Sequence, residues 1–192
     1  MRKLVYYVGV TIDGYLAGPE GQTDFFPVGP EMAAWIGRTY PETLPTHVRS
    51  HFGVADAPNQ RFDTVVMGLG TYRPGLDAGI PSPYAHLRQY VISTTLGAID
   101  DPAVELVDTD PVALIRRLKA EDTKKDVWLA GGGRLAASVL PEIDALVVKS
   151  YPIAAGDGIP AFRGAFSPTA FRPTSRESIG DGTSITWFDR AD

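Results

Sequence analysis

Val127-Trp128-Leu129-Ala130-Gly131-Gly132-Gly133-Arg134-Leu135-Ala136-Ala137-Ser138-Val139-Leu140 is an apolar run, a triple glycine and a helical repeat in immediate succession. Three residues without Cβ atoms let a backbone approach a ligand closely. A helix start behind them offers unpaired N–H groups to an anion. Strand, glycine turn and helix together describe a phosphate or pyrophosphate cradle, and a flexible connector is the competing reading. A second segment of similar build, Phe62-Asp63-Thr64-Val65-Val66-Met67-Gly68-Leu69-Gly70-Thr71-Tyr72, argues for the cradle. In an open parallel sheet two such strand ends lie at one edge, where ligands bind beyond the carboxyl ends. Neither segment is G-x-G-x-x-G or G-x-x-x-x-G-K-[ST], so generic Rossmann and nucleotide triphosphatase readings lose ground.

The bulk composition narrows the classes further. A chain of 192 residues is long enough for one good core, so a single domain over residues 1–192 is expected. Hydrophobic residues make up 44% and charged residues 21%, a globular balance. A net charge of -5 leaves no basic face for nucleic-acid phosphates or an anionic membrane. With no cysteine, disulfides and thiolate metal sites are excluded, which fits a reducing compartment. The apolar start is interrupted by Asp13 and lacks a small-residue cleavage site. A soluble cytoplasmic protein is the expectation.

Strands are expected at Leu4 to Val10, Thr64 to Met67, Gln89 to Ser93, Asp126 to Ala130 and Asp144 to Tyr151. Thr11 to Gly21, with its glycines and proline, reads as a loop. Pro30 opens a short helix through Trp35 and Ile36, and Asp110-Pro111 starts another with Val112, Ile115 and Leu118 on its apolar side. Arg134 to Leu140 forms a third. Prolines at 41, 45 and 58 break any pattern between Tyr40 and Asn59, leaving a helical turn near His47 to Phe52. Ala170 to Ser175 and Thr183 to Asp189 read as strands around Gly180-Asp181-Gly182. The sum is an α/β sheet, parallel inside, with an antiparallel C-terminal hairpin.

In chain order, these segments resemble the dihydrofolate reductase superfamily. The closest branch contains the C-terminal reductase domain of bifunctional riboflavin-biosynthesis proteins. The resemblance runs through Val10-Thr11-Ile12-Asp13-Gly14-Tyr15-Leu16-Ala17, Val66 to Tyr72, Val91-Ile92-Ser93-Thr94-Thr95-Leu96 and Leu129 to Gly133. It closes with Ile143-Asp144-Ala145-Leu146 and Gly156-Asp157-Gly158-Ile159-Pro160-Ala161-Phe162. It implies a mixed, mainly parallel sheet flanked by helices, a homodimer, and a reductase passing hydride from NADPH, or NADH, to a pyrimidine or pterin. The pyrophosphate would lie against Gly68, Leu69, Gly70 and Thr71, and against Gly131, Gly132, Gly133, Arg134 and Leu135. Ser93 and Thr94 would approach the adenosine ribose. Val8, Ile12 and Tyr15 would border the nicotinamide, with Tyr15 also binding the substrate.

One departure concerns the cofactor's 2′-phosphate. Relatives that prefer NADPH often carry basic residues where this chain has Leu69 and Thr94. Arg73, Arg88 and Arg134 are the candidate substitutes, since guanidinium–phosphate contacts are the strong ones. Pro30-Glu31-Met32-Ala33-Ala34-Trp35 resembles the segment bearing the dihydrofolate reductase acid. Glu31 is therefore the candidate proton-handling and substrate-binding residue, with Trp35 beside it on the substrate wall. Complementing the positive helix end is the plainer role for Glu31, and Asp24 is a competing acid. Asp13 reads as a turn-former that lies near enough to the nicotinamide to be a second catalytic candidate. His47 and His51 have helical zinc spacing, but no Glu lies between them and no third ligand follows, so no metal is expected. Dihydrofolate reductase proper and a non-catalytic nucleotide- or pterin-binding protein are the alternatives.

Overall fold

Strand β1 (Leu4–Thr11) is buried on both sides: Leu4, Tyr6, Val8 and Val10 pack one way, Val5 and Tyr7 the other. Double burial explains why this stretch is a continuous apolar run. In the computed structural model, which describes residues 2–191, β1 has parallel neighbours on each side, β6 (Asp126–Gly131) and β7 (Ala145–Tyr151). Beyond β6 lie β3 (Phe62–Gly68), β4 (Arg88–Ile92) and β5 (Val104–Val107), all parallel. Beyond β7, β10 (Ser184–Arg190) and β9 (Phe171–Ser178) run antiparallel. The eight-stranded order is β5-β4-β3-β6-β1-β7-β10-β9. This is the α/β, mainly parallel dihydrofolate reductase-like sheet with an antiparallel C-terminal pair.

Helices α1 (Pro30–Thr39) and α2 (Leu69–Asp77) cover the face bearing Val5 and Tyr7. Helices α3 (Pro111–Lys119) and α4 (Gly133–Ser138) cover the other. Met32, Trp35 and Ile36 recur at helical spacing and are the buried stripe of α1. The Asp110 carboxylate caps α3 by accepting the Val112 N–H at 2.9 Å, with Pro111 in the first turn.

The structure adds three strands that the sequence pattern does not show. Strand β5 is a four-residue edge with only Val104 fully buried, too short for a periodic signal. Within the expected loop, β2 (Tyr15–Ala17) pairs with β8 (Ile159–Pro160), a ladder whose partner is remote in sequence. Helix α4 stops at Ser138, and a 3-10 turn, Leu140–Glu142, follows, because Pro141 has no N–H to continue the α pattern. Near His47 the helical turn is 3-10, at Thr46–Val48.

Between Tyr40 and Asn59, buried charges organise the backbone. The Glu42 carboxylate is fully buried and accepts the N–H groups of Gln60, Arg61 and Phe62 at 3.1, 2.6 and 2.7 Å, fixing the entry to β3. Arg49 donates to the carbonyls of Pro41 and Ala57 at 2.7 and 2.6 Å. At the outer rim of the sheet, β9 is exposed from Arg172 to Ser178, and its register with β10 shifts where Phe188 faces Pro173. Replacing Glu42 by Ala strands three donors, and each buried unsatisfied group costs about 1–3 kcal/mol. Urea unfolding of Glu42→Ala is expected to show a loss of about 3 kcal/mol.

Candidate functional site

Strand β6 sits between β3 and β1, so the chain leaves β3 outward to β4 and leaves β6 in the opposite direction to β7. Such a reversal opens a crevice at the carboxyl ends of the two strands. Both glycine turns are there, in contact. A Cβ built on Gly68 would stand 3.4 Å from the Gly132 nitrogen and 3.5 Å from the Gly131 carbonyl oxygen. Thr71 Oγ1 reaches the same turn, 3.4 Å from where a Gly131 Cβ would lie. The N-cap positions of α2 and α4 are Gly68 and Gly132, and neither helix start has a side-chain cap, in contrast to Asp110 on α3. The N–H groups of the first turn of α2 are therefore free of side-chain acceptors.

The three glycines divide the work. Gly131 has φ +121°, a conformation that side chains rarely adopt, and its peptide bond to Gly132 is cis. A Cβ on Gly133 would run into the Pro160 carbonyl oxygen, and the Arg163 N–H donates to the Gly133 carbonyl at 2.9 Å. Gly133 therefore serves packing against β8. Gly132 has φ -95°, and an added Cβ there would meet only Thr71 Oγ1, at 3.9 Å. Gly70, in the first turn of α2, faces open space. Gly132 and Gly70 are the bare backbone of the crevice.

The other expected residues gather around this edge unequally. Leu69 and Thr71 share the first turn of α2, while Arg134 is exposed and Leu135 buried at the start of α4. Ser93, buried just past β4, accepts the N–H groups of Thr95 and Leu96 at 3.2 and 3.0 Å, so it holds its own turn and leaves Thr94 exposed. Val8 is buried in β1, Ile12 is 65% exposed just beyond it, and Tyr15 is half-buried in β2. Arg88 is not available to the crevice. It begins β4, at the opposite end of the strand, and its guanidinium is spent on Glu121 at 2.7 and 3.0 Å. Arg73 and Arg134 are exposed and make no ion pair among the described residues.

The candidate acids differ in what holds them. Glu31 is exposed, and its carboxylate accepts the Gly180 N–H at 2.8 Å, tying α1 to the β9–β10 turn. Trp35 is buried within the core, its indole N–H donating to Glu177 at 2.8 Å. Asp24 is exposed. Asp13 accepts from the Thr11 hydroxyl at 2.5 Å and from the N–H groups of Gly156 at 2.7 Å and Ala155 at 3.1 Å, which ties the loop after β1 to the loop after β7. The Thr11 hydroxyl first, then these N–H groups, hold its carboxyl down to about 2. One titratable group escapes the sequence reading: Lys149, whose signal is a charge inside the apolar run Ala145-Leu146-Val147-Val148-Lys149-Ser150-Tyr151. Its ammonium lies 4.3 Å from the Tyr7 ring centroid, and burial lowers its pKa, with Tyr151 opposing. Among the described residues no group of three or more His, Asp or Glu side chains is placed to hold a metal ion. No helix there is long and apolar enough to cross a membrane.

Sheet order, the switch point and the paired glycine turns define a dihydrofolate reductase-like α/β fold. No family model matches the chain. It is 26% identical to the uncharacterised Bacillus subtilis protein YwjB over 186 residues, 96% of each chain. The uncharacterised YyaP of the same organism is 24% identical over 174 residues, covering 84% of this chain and 80% of its own. Among solved structures, a protein from Shewanella sp. PV-4 described provisionally as a riboflavin biosynthesis protein superposes with TM-score 0.71, at 23% identity and full coverage of both chains. The Thermotoga maritima diaminohydroxyphosphoribosylaminopyrimidine deaminase/5-amino-6-(5-phosphoribosylamino)uracil reductase superposes with TM-score 0.68 at 16% identity. There the match takes in 99% of this chain and 57% of the Thermotoga one.

The Asp13 tether has a defined pH limit. A carboxyl held below its ordinary 3.8 when folded stabilises at higher pH, and the contribution is lost as pH falls from there through about 2. The Gly156 amide proton resonance is expected to stay constant from neutrality to about pH 4 and to move only below it, and Asp13→Ala should abolish the step.

Proposed function

We propose that the chain is a reductase that binds a nicotinamide dinucleotide at the β3–β6 crevice and reduces a pyrimidine or pterin-like acceptor. The observation that carries this is the meeting of two glycine-rich turns, Gly68–Thr71 and Gly131–Leu135, at the switch point, with Gly70 and Gly132 leaving backbone bare. A pyrophosphate needs backbone N–H groups and close approach, and these residues offer both. When bound, the reduced nicotinamide supplies the hydride. Gly132 and Gly70 would lie against the pyrophosphate, and Val8, Ile12 and Tyr15 would border the nicotinamide. NADPH is favoured over NADH because Arg73, two residues past the first turn, and Arg134, within the second, have no ion-pair partner among the described residues. The solved structures with this fold include a uracil-derivative reductase, which supports the acceptor class.

Dihydrofolate reductase proper has less support. At the start of α1 the sheet-facing side chain is Met32, and the Glu31 carboxylate is at the surface on Gly180. A binding protein without catalysis is distinguished by turnover. Fluorescence titration with NADPH and NADH is the direct test: micromolar binding, tighter for NADPH, is expected, with acceptor-dependent oxidation following. Binding without oxidation across pyrimidine and pterin acceptors would favour the non-catalytic reading, and no binding would remove the cradle. Gly132→Val should weaken NADPH at least tenfold while the melting temperature holds, whereas Gly133→Ala should lower the melting temperature through its clash with Pro160. Homodimerisation belongs to the same proposal; light scattering should give twice the chain mass, and Phe166→Ser, at a side chain 96% exposed, is the first variant for weakening it.

A further inference from the structure

Strands β1 and β7 carry, in their carboxyl halves, a charge that the cradle does not use. Lys149 of β7 stands opposite Gly9 of β1. Alternation from Val147 and Tyr151, both in the core under α1, puts its side chain on that same face. The residue is half-buried, its ammonium sits over the Tyr7 ring at 4.3 Å, and it makes no hydrogen bond or ion pair with any described residue. Other cations that are at least half-buried have partners: Arg2 on Asp63, Arg49 on the Pro41 carbonyl, Lys119 on Asp144, Lys125 on the Asn59 carbonyl. An ammonium withdrawn from water without a carboxylate is costly, and a ring face offsets only part of that.

The surroundings fix what such a group can take. Gly9 leaves the room: a Cβ there would press on Tyr151 at 3.1 Å and lie 3.8 Å from Lys149 Cε. Helix α1 presents Met32 and Trp35 to the core on this face, while Glu31 is turned to the surface. In the same row across the sheet, two strands from Lys149, Glu177 of β9 is occupied by the Trp35 indole N–H at 2.8 Å, and no carboxylate lies within ion-pair distance of the Lys149 ammonium among the described residues. Two strand spacings, about 10 Å, separate the backbone of β7 from that of β6 and its glycine turn. Burial lowers the Lys149 pKa, consistent with an ammonium that lacks an anionic partner in the protein itself.

We infer that Lys149 is a specificity-determining residue of the acceptor site, its ammonium taking an anionic or carbonyl oxygen of the acceptor. The site then selects planar acids and oxo compounds and rejects cationic rings, a selection that rests on the reductase reading of the same cleft. The test titrates orotate, a planar ring acid, and 2,4-diaminopyrimidine, a base, against wild type, Lys149→Met and Lys149→Arg. Each is measured with and without NADPH, alongside NADPH affinity and thermal melting. Orotate is expected to bind wild type and to lose at least tenfold in Lys149→Met. Lys149→Arg should recover most of the loss, with NADPH affinity within twofold throughout. Equal orotate affinity in wild type and Lys149→Met, no orotate binding by wild type, or preference for 2,4-diaminopyrimidine would overturn the assignment. Melting separates misfolding of Lys149→Met from loss of a contact, and Lys149→Gln replaces that variant if it melts early. NADPH binding to wild type is scored on its own, so failure of the cradle is seen apart from failure at Lys149.

Discussion

Everything else in this molecule depends on β6 being inserted between β1 and β3 in parallel register. That insertion buries β1 and β3 on both faces and so dictates the apolar runs Leu4–Val8 and Thr64–Met67. It sets two strand ends side by side, close enough that a methyl on Gly68 would touch the peptide of Gly132. It also reverses the direction in which the chain winds, which opens the crevice at that edge.

Features specified locally were legible: the apolar central strands, the Asp110-Pro111 helix start, the glycine turns and the terminal hairpin each follow from a few adjacent residues. What was hidden depends on distant partners. Nothing around Tyr15 announces a pairing with Pro160. The stretch from Tyr40 to Asn59 gains its order from Glu42 and Arg49, charged residues that composition assigns to the surface and the fold buries on backbone groups. The site was half legible for the same reason. The glycines declare themselves, whereas the surroundings of Glu31, Trp35 and Lys149 are set by which side of α1 or β7 meets the sheet.

The charges sort themselves by task. Asp13, Glu31 and Glu42 accept backbone N–H groups and so fasten loops, a helix and a strand entry. Arg88 is locked to Glu121. Arg73, Arg134 and Lys149 are among the cations without ion pairs among the described residues, in a chain whose net charge is -5. A protein that is acidic overall thus presents cations near the carboxyl ends of its central strands, an arrangement suited to anionic ligands.

The rim formed by β9 has a consequence for the life of the protein in concentrated solution. A bare sheet edge is a template on which another chain can add, and from there stacking proceeds into cross-β aggregates. Here Pro173 has no N–H to offer, Arg172 and Arg176 bring charge, and the shifted register at Phe188 disrupts the ladder. An incoming strand would find mismatched spacing and like-charged guanidinium groups. The β9 rim therefore opposes strand addition at its end of the sheet.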